Sequence, residues 1–167
     1  ARQFIDWANQ HFPQVSINLY SGKDWMTDHL DQWSQEEARI TGEKPLILPL
    51  LDPLQDTIKP LHKLLLIGEA EEIQTLYRAI STDDFPSTAF YLSKANYLEV
   101  TAKHVSKEDA LVELANHYHL SLEEVLTMGD NFNDLPMLKK AGIGVAMGNA
   151  PQEVKEGASV VTKTNNE

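Results

Sequence analysis

Apolar and polar positions alternate along the first part of the chain in a way that predicts both strands and helices. Residues 16–21 (SINLYS) alternate at every second position, as in a half-buried strand. Residues 69–80 carry apolar side chains at helical spacing, with glutamates in the first turn, where the helix dipole favours them. The other predicted elements are helices over 1–10 and 24–40, an edge strand over 45–50, a strand over 62–68 and a hairpin of 88–93 with 96–102.

The pattern changes after residue 102, where helices begin to alternate with fully apolar strands. Predicted helices cover 106–120, 133–142 and 150–157, and predicted strands cover 124–128, 143–147 and 158–162. We expect Pro136 in the first turn of the second helix and Gly142 as its C-cap. Apolar strands separated by helices predict a parallel sheet that is covered on both faces. The sequence therefore predicts an α+β unit in residues 1–102 and half of a doubly wound α/β domain in residues 103–167.

Composition narrows the range of functions. The 167 residues suffice for one ordinary domain or two small ones. A formal net charge of -11 argues against a general nucleic-acid binder, which needs lysine and arginine to displace counterions from phosphates. The absence of cysteine excludes disulfides and thiolate metal sites, which fits a cytoplasmic protein. No apolar run approaches the length of a membrane span, so we predict neither a nucleic-acid nor a membrane partner.

The chemistry is concentrated in residues 127–138 (TMGDNFNDLPML), directly after a predicted strand. Asp130 lies at the carboxyl end of that strand, where open α/β sheets bind ligands, and its carboxylate suits a hard cation such as Mg²⁺. Asp134 is one helical turn further on and could be a second ligand, a water-mediated ligand or an orienter of a neighbouring cation. Asn133 can donate to a phosphate oxygen without adding negative charge. The alternative, that these side chains only cap the helix and meet solvent, is less favoured for the whole string.

Two stretches, GDNFNDLPML and AGIGVAMGNAPQEVKEGA, resemble the last conserved motif of the haloacid dehalogenase (HAD) superfamily, and most of all its Cof-type phosphatase branch. The resemblance is close over residues 103–167 and looser over 1–102, which look like the family's cap domain. It implies a HAD-like, Rossmannoid core, with Mg²⁺ as cofactor and a small phosphorylated metabolite as substrate. By the same resemblance, Lys107 neutralises the nucleophile and the transferring phosphoryl group. Asp130 and Asp134 then belong to the metal site, and Asn133 supports the phosphate.

The family's nucleophile, the first aspartate of a D-x-D motif after a strand, has no match in this sequence. The nearest stretches, 48–57 and 81–88, lack the spacing or the preceding strand. The chain also begins with Ala1 in place of an initiator methionine, so we predict a fragment of a longer phosphatase that is inactive by itself. Its apolar strands would then present an unpaired hydrophobic edge, which favours self-association.

Two alternatives remain open. The chain could be a non-catalytic module that binds a phosphorylated ligand or a protein, with Lys107 and Asp130 as ligand contacts. The whole protein could also transfer the phosphoryl group to an acceptor other than water, as a mutase does.

Overall fold

A computed structural model describes residues 1–55 and 60–167, which form two units, Ala1–Lys103 and His104–Glu167. This division lies next to the one predicted between residues 102 and 103, while the roles given to the two parts stay predictions. In the stretch 48–57, one of the two nearest to a D-x-D motif, residues 56 and 57 lie outside the described residues.

In the described residues of the first unit, a six-stranded sheet is accompanied by three α-helices. Its strands are β1 (Ser16–Ser21), β2 (Asp24–Thr27), β3 (Leu46–Ile47), β4 (Lys63–Ile67), β5 (Thr88–Lys94) and β6 (Tyr97–Ala102), and its helices are α1 (Arg2–His11), α2 (Gln32–Thr41) and α3 (Ala70–Ala79). The strand order is β3-β2-β1-β4-β6-β5, and every pair is antiparallel except β2 with β3. The predicted edge strand and the predicted hairpin are therefore confirmed.

The main core of this unit lies between α1, α3 and one face of the sheet. Phe4, Ile5 and Ala8 of α1 and Ile73 and Leu76 of α3 pack in one buried cluster with alternate residues of the strands. This arrangement follows from the helical spacing of apolar side chains in both helices.

Strand β1 was predicted to be half-buried, and the structure shows that this was wrong. Its residue Asn18 is fully buried on the face opposite the main core. The Asn18 side chain accepts a hydrogen bond from Trp25 Nε1 at 2.8 Å and donates to the Leu65 carbonyl at 3.3 Å. A polar residue at an alternating position was thus a buried, hydrogen-bonded group and not a solvated one.

The helix predicted over 24–40 was wrong in its first part. Residues 24–27 form β2, which pairs with β1 from Ser21 opposite Asp24. Gly22 makes the connecting turn with a φ of 60°, a conformation that glycine adopts readily. Helix α2 begins only at Gln32, after Asp31, whose carboxylate accepts a hydrogen bond from the Ser34 backbone N–H at 2.7 Å.

Helix α2 brings a carboxylate to the sheet. Glu37 is buried, and Tyr97 of β6 donates its hydroxyl to Glu37 Oε2 at 2.8 Å. Burial raises the pKa of Tyr97, and the hydrogen bond to Glu37 raises it further, so the tyrosine stays a neutral donor at physiological pH.

The second unit contains a three-stranded parallel sheet in the order β7-β8-β9. Its strands are β7 (Leu126–Gly129), β8 (Ile143–Ala146) and β9 (Val160–Val161), and its helices are α4 (Lys107–His117), α5 (Leu135–Lys140) and α6 (Gln152–Glu156). The alternation of strands and helices predicted from the sequence is confirmed, and Pro136 lies in the first turn of α5.

The prediction that both faces of this sheet are covered was wrong. One face packs against α5 and α6 through Leu138, Ala146 and Val154. The other face carries two rows of apolar side chains. In the strand register Leu126 lies beside Ile143, and Met128 lies beside Val145, which lies beside Val160. We call the exposed residues of these two rows the open face: Leu126, Met128, Ile143 and Val160, which are 46–56% exposed.

Gly142 was predicted as the C-cap of α5, and this was also wrong, because Ala141 takes that place in an extended conformation. The Gly142 N–H instead donates to the Leu122 carbonyl at 2.7 Å. A Cβ at this position would meet the Glu123 carbonyl oxygen at 2.2 Å, so the glycine is required by a close backbone approach. Among residues 1–55 and 60–167, none of the helices combines the length and the hydropathy that a membrane span needs.

We expect Tyr97→Phe to lower the free energy of unfolding of the first unit by about 1–3 kcal/mol, because Glu37 would lose its buried donor. Tyr77→Phe, on the solvent side of α3, is the matched control and should change stability by less than about 0.5 kcal/mol. Urea denaturation measures both. Equal effects of the two substitutions would show that the hydrogen bond contributes nothing.

We also expect the chain to self-associate through the open face at high concentration. Leu126→Glu should weaken the association by tenfold or more, because a buried leucine contributes about 1.5–3 kcal/mol. Leu30→Glu, an equally exposed leucine of the first unit, should not weaken it. Light scattering over a concentration series measures the association, and a monomer at every concentration would contradict the prediction.

Candidate active site

The turn that follows β7 is organised by the carboxylate of Asp134. Asp134 is 3% exposed and stands directly before the first residue of α5. Its Oδ2 accepts hydrogen bonds from the backbone N–H groups of Asp130 at 2.9 Å and Asn131 at 3.1 Å. The side chain therefore caps the preceding turn and not its own helix, for which it makes no capping bond. This fixes the backbone of Asp130 at the carboxyl end of the strand.

Gly129 makes this arrangement sterically feasible. A Cβ on Gly129 would lie 2.4 Å from the Cβ of Asp134 and 2.8 Å from its Oδ2. Both distances are far below van der Waals contact, so any side chain at residue 129 would displace the Asp134 carboxylate.

Lys107 completes the environment of Asp134. It is the first residue of α4, which begins after Ser106, whose side chain accepts a hydrogen bond from the Asp109 backbone N–H at 2.9 Å. The Lys107 Nζ donates to Asp134 Oδ1 in a short ion pair. The lysine side chain is half exposed, whereas that of Asp134 is buried. One oxygen of the Asp134 carboxylate thus holds the ammonium group near the carboxyl end of β7, while the other oxygen accepts from backbone N–H groups.

Helices α4 and α5 are also linked at their surface, where Lys140 pairs with Glu108 at 3.1 Å. Both of these side chains are well exposed, so the pair contributes little to stability. Lys140 nevertheless provides a useful comparison for Lys107, because it is a lysine on the same pair of helices with a solvated partner.

Asp130 is exposed at the end of β7, and its Oδ2 accepts a hydrogen bond from Asn149 Nδ2 at 3.3 Å. Asn149 is not among the site residues predicted from the sequence. It follows β8, the strand next to β7, and the carboxyl ends of adjacent parallel strands meet at one edge of a sheet. That rule would have identified it.

Asn133 is half-buried in the same turn, immediately before Asp134. The structure therefore brings Lys107, Asp130, Asn133 and Asp134 into one region of the second unit, at or next to the carboxyl end of β7. Their separate roles toward metal and phosphate remain predictions.

The donor chemistry fits a hard cation that takes only part of its ligands from this chain. Among residues 1–55 and 60–167, no cluster of three or more His, Cys, Asp or Glu side chains is placed to hold a metal. Mg²⁺ binds proteins through one or two carboxylates and completes its octahedron with water and substrate phosphate. Asp130 offers an exposed carboxylate, whereas both oxygens of Asp134 already accept hydrogen bonds. Of the three roles open for Asp134, these contacts favour the orienter.

A model of the haloacid dehalogenase-like hydrolase family matches residues 1–167. The chain belongs to this family. A relative from Haemophilus influenzae, provisionally named as a phosphatase, is 39% identical over 158 residues, which are 93% of this chain and 57% of the relative. The HMP-PP phosphatase of Yersinia enterocolitica is 30% identical over 142 residues, 85% of this chain and 51% of that protein.

The fold agrees with this membership. The crystal structure of a haloacid dehalogenase-like hydrolase from Bacteroides thetaiotaomicron matches 99% of this HAD-family chain with a TM-score of 0.79 at 30% identity. The match covers 61% of that structure. The predicted HAD-like α/β fold is therefore confirmed, and the chain spans little more than half the length of the relatives it matches.

We expect Gly129→Ala to destabilise the second unit by about 1–3 kcal/mol, because the added methyl overlaps the buried Asp134 side chain. Gly68→Ala in the first unit, where the nearest atom is a valine methyl group at 3.3 Å, should cost less. Thermal unfolding of the two variants measures the difference. If Gly129→Ala is the milder substitution, the close approach at Asp134 is not as tight as described.

Proposed function

We propose that the protein containing this chain is a Mg²⁺-dependent phosphatase that hydrolyses small phosphomonoesters. The observation that carries the proposal is the ammonium group of Lys107, held by the buried carboxylate of Asp134 beside the exposed carboxylate of Asp130. Phosphoryl transfer depends mostly on positioning and on stabilising negative charge. A lysine fixed next to a cation-binding carboxylate provides both.

Each residue has a distinct task in this proposal. Lys107 stabilises the negative charge of the nucleophile and of the phosphoryl group, and Asp134 holds it in place. Asn133 donates to a phosphate oxygen, and Asp130 would hold the magnesium ion. When bound, Mg²⁺ supplies a Lewis acid that offsets charge on the phosphoryl oxygens.

In the proposed reaction an aspartate that this sequence does not contain attacks the phosphorus, the ester P–O bond breaks and the alcohol leaves. Water then hydrolyses the aspartyl-phosphate and releases inorganic phosphate. Covalent catalysis divides the displacement into two easier steps, and Lys107 stabilises charge in both. The chain by itself should then be inactive, because its own residues provide charge stabilisation without a nucleophile.

We further propose that the substrate is a small phosphorylated metabolite in the cytoplasm, and that residues 1–102 act as a cap that selects it. The name of the Yersinia enterocolitica relative, HMP-PP phosphatase, supports a small phosphate compound. The net charge of -11 disfavours a polyanionic partner.

In the full-length protein, we expect Lys107→Ala and Asp130→Ala each to lower kcat by at least about 100-fold, because each removes a charge that acts in the transition state. Lys140→Ala is the matched control, since it removes a lysine whose partner is solvated, and it should retain nearly all activity. Phosphate release from a panel of phosphomonoesters measures turnover.

Near-normal turnover of Lys107→Ala or Asp130→Ala would refute the site assignment. If the full-length protein binds phosphorylated metabolites but never releases phosphate, the chain is a binding module and the phosphatase proposal is wrong. Transfer of the group to a second metabolite in place of water would identify a mutase.

A further inference from the structure

The side chain of Asn149 is shared between two parts of the second unit. Its Nδ2 donates to Asp130 Oδ2 at 3.3 Å, and its Oδ1 accepts from the backbone N–H of Asn165 at 3.2 Å. We propose that Asn149 is a positioning residue that fixes the orientation of the Asp130 carboxylate. This inference rests on the proposed function, in which Asp130 is the carboxylate that binds the cation.

The two hydrogen bonds determine how the amide is oriented. The Asn165 backbone N–H can only donate, so the Asn149 atom facing it must be the oxygen. The amide nitrogen then necessarily faces Asp130, whose carboxylate can only accept when ionised. The backbone N–H of Asn165, in the segment after β9, thus determines that the amide nitrogen of Asn149 is the atom directed at Asp130.

Backbone hydrogen bonds hold the loop that carries Asn149 both to the segment of Asp130 and to the segment of Asn165. The Met147 N–H donates to the Gly129 carbonyl at 2.9 Å, next to Asp130. The Gly148 N–H donates to the Lys163 carbonyl at 2.9 Å, close to Asn165. Asn149 therefore projects from a backbone that is hydrogen-bonded to both of the segments it joins, and its reach to Asp130 is set by the fold.

An amide is chemically suited to this task. Asp130 is exposed, so its side chain needs a partner if its rotamer is to be restricted. A neutral donor restricts the carboxylate without cancelling its charge, whereas an ammonium group would compete with the cation. The hydrogen bond occupies only Oδ2 of Asp130 and leaves the negative charge for the metal. Such supporting hydrogen bonds around metal ligands change metal affinity by roughly 10- to 100-fold when they are removed.

The test compares metal affinity among variants of the full-length protein, with Mn²⁺ as the probe because it prefers the same oxygen ligands. We expect Asn149→Ala to raise the Kd for Mn²⁺, measured by electron paramagnetic resonance, by about tenfold. Asn149→Gln keeps the amide on a longer stem and should recover part of this loss. Gln152→Ala is the matched control, because it removes an exposed amide of α6 whose hydrogen bond goes to Glu156 Oε1 at 2.9 Å, and it should bind Mn²⁺ normally.

Thermal unfolding without metal separates positioning from a structural role. A positioning residue should change the Kd and leave the metal-free unfolding temperature nearly unchanged. The proposal is overturned if Asn149→Ala binds Mn²⁺ within twofold of the unaltered protein, or if Gln152→Ala weakens binding as much as Asn149→Ala does. Asp130→Ala distinguishes the two levels of inference: if it also binds Mn²⁺ normally, the proposed metal site fails as a whole, whereas if only Asn149→Ala is silent, the positioning role alone fails.

Discussion

The second unit depends on one buried carboxylate. Asp134 accepts hydrogen bonds from two backbone N–H groups and from the ammonium group of Lys107, so a charge taken out of water has three donors. Burying a carboxylate is costly unless it is paired and hydrogen-bonded, which explains why the turn after β7 has the shape that it has. Residue 129 is a glycine because the Asp134 carboxylate occupies the volume that a side chain would need. Helix α4 begins at Lys107, at a position from which the lysine reaches the same carboxylate.

The two aspartates that follow β7, Asp130 and Asp134, therefore differ in burial and in the number of hydrogen bonds they accept. Asp134 is buried and fully engaged, and it acts through the groups that it holds. Asp130 is exposed and carries one supporting hydrogen bond from Asn149, so its charge remains available to a ligand. Two aspartates four residues apart thus separate into a buried charge that holds neighbouring groups and an exposed charge that a ligand can reach. Their burial decides this, and their spacing alone does not.

Most of the second unit could be predicted because its signals are local. Strands and helices alternate in a regular order, and the polar string follows a strand directly. The failures involve contacts that are distant in sequence or too short to show a period. Strand β2 has only four residues inside a charged stretch, and the glycine turn before it was the better signal. Asn149 lies 19 residues from Asp130, and the two side chains meet because β7 pairs with β8, a long-range contact that no local pattern reveals.

The polar contacts of the candidate site, from Lys107 to Asn165, all join residues of His104–Glu167. Lysine, carboxylates and supporting amide are thus encoded in one short continuous stretch of sequence. Such a stretch can be inherited or recombined as a block, because none of these contacts requires a particular residue in the first unit. The first unit can accordingly diverge in sequence while the charge arrangement of the second unit stays the same. Sequence change in the first unit therefore leaves the charged groups of the second unit in place.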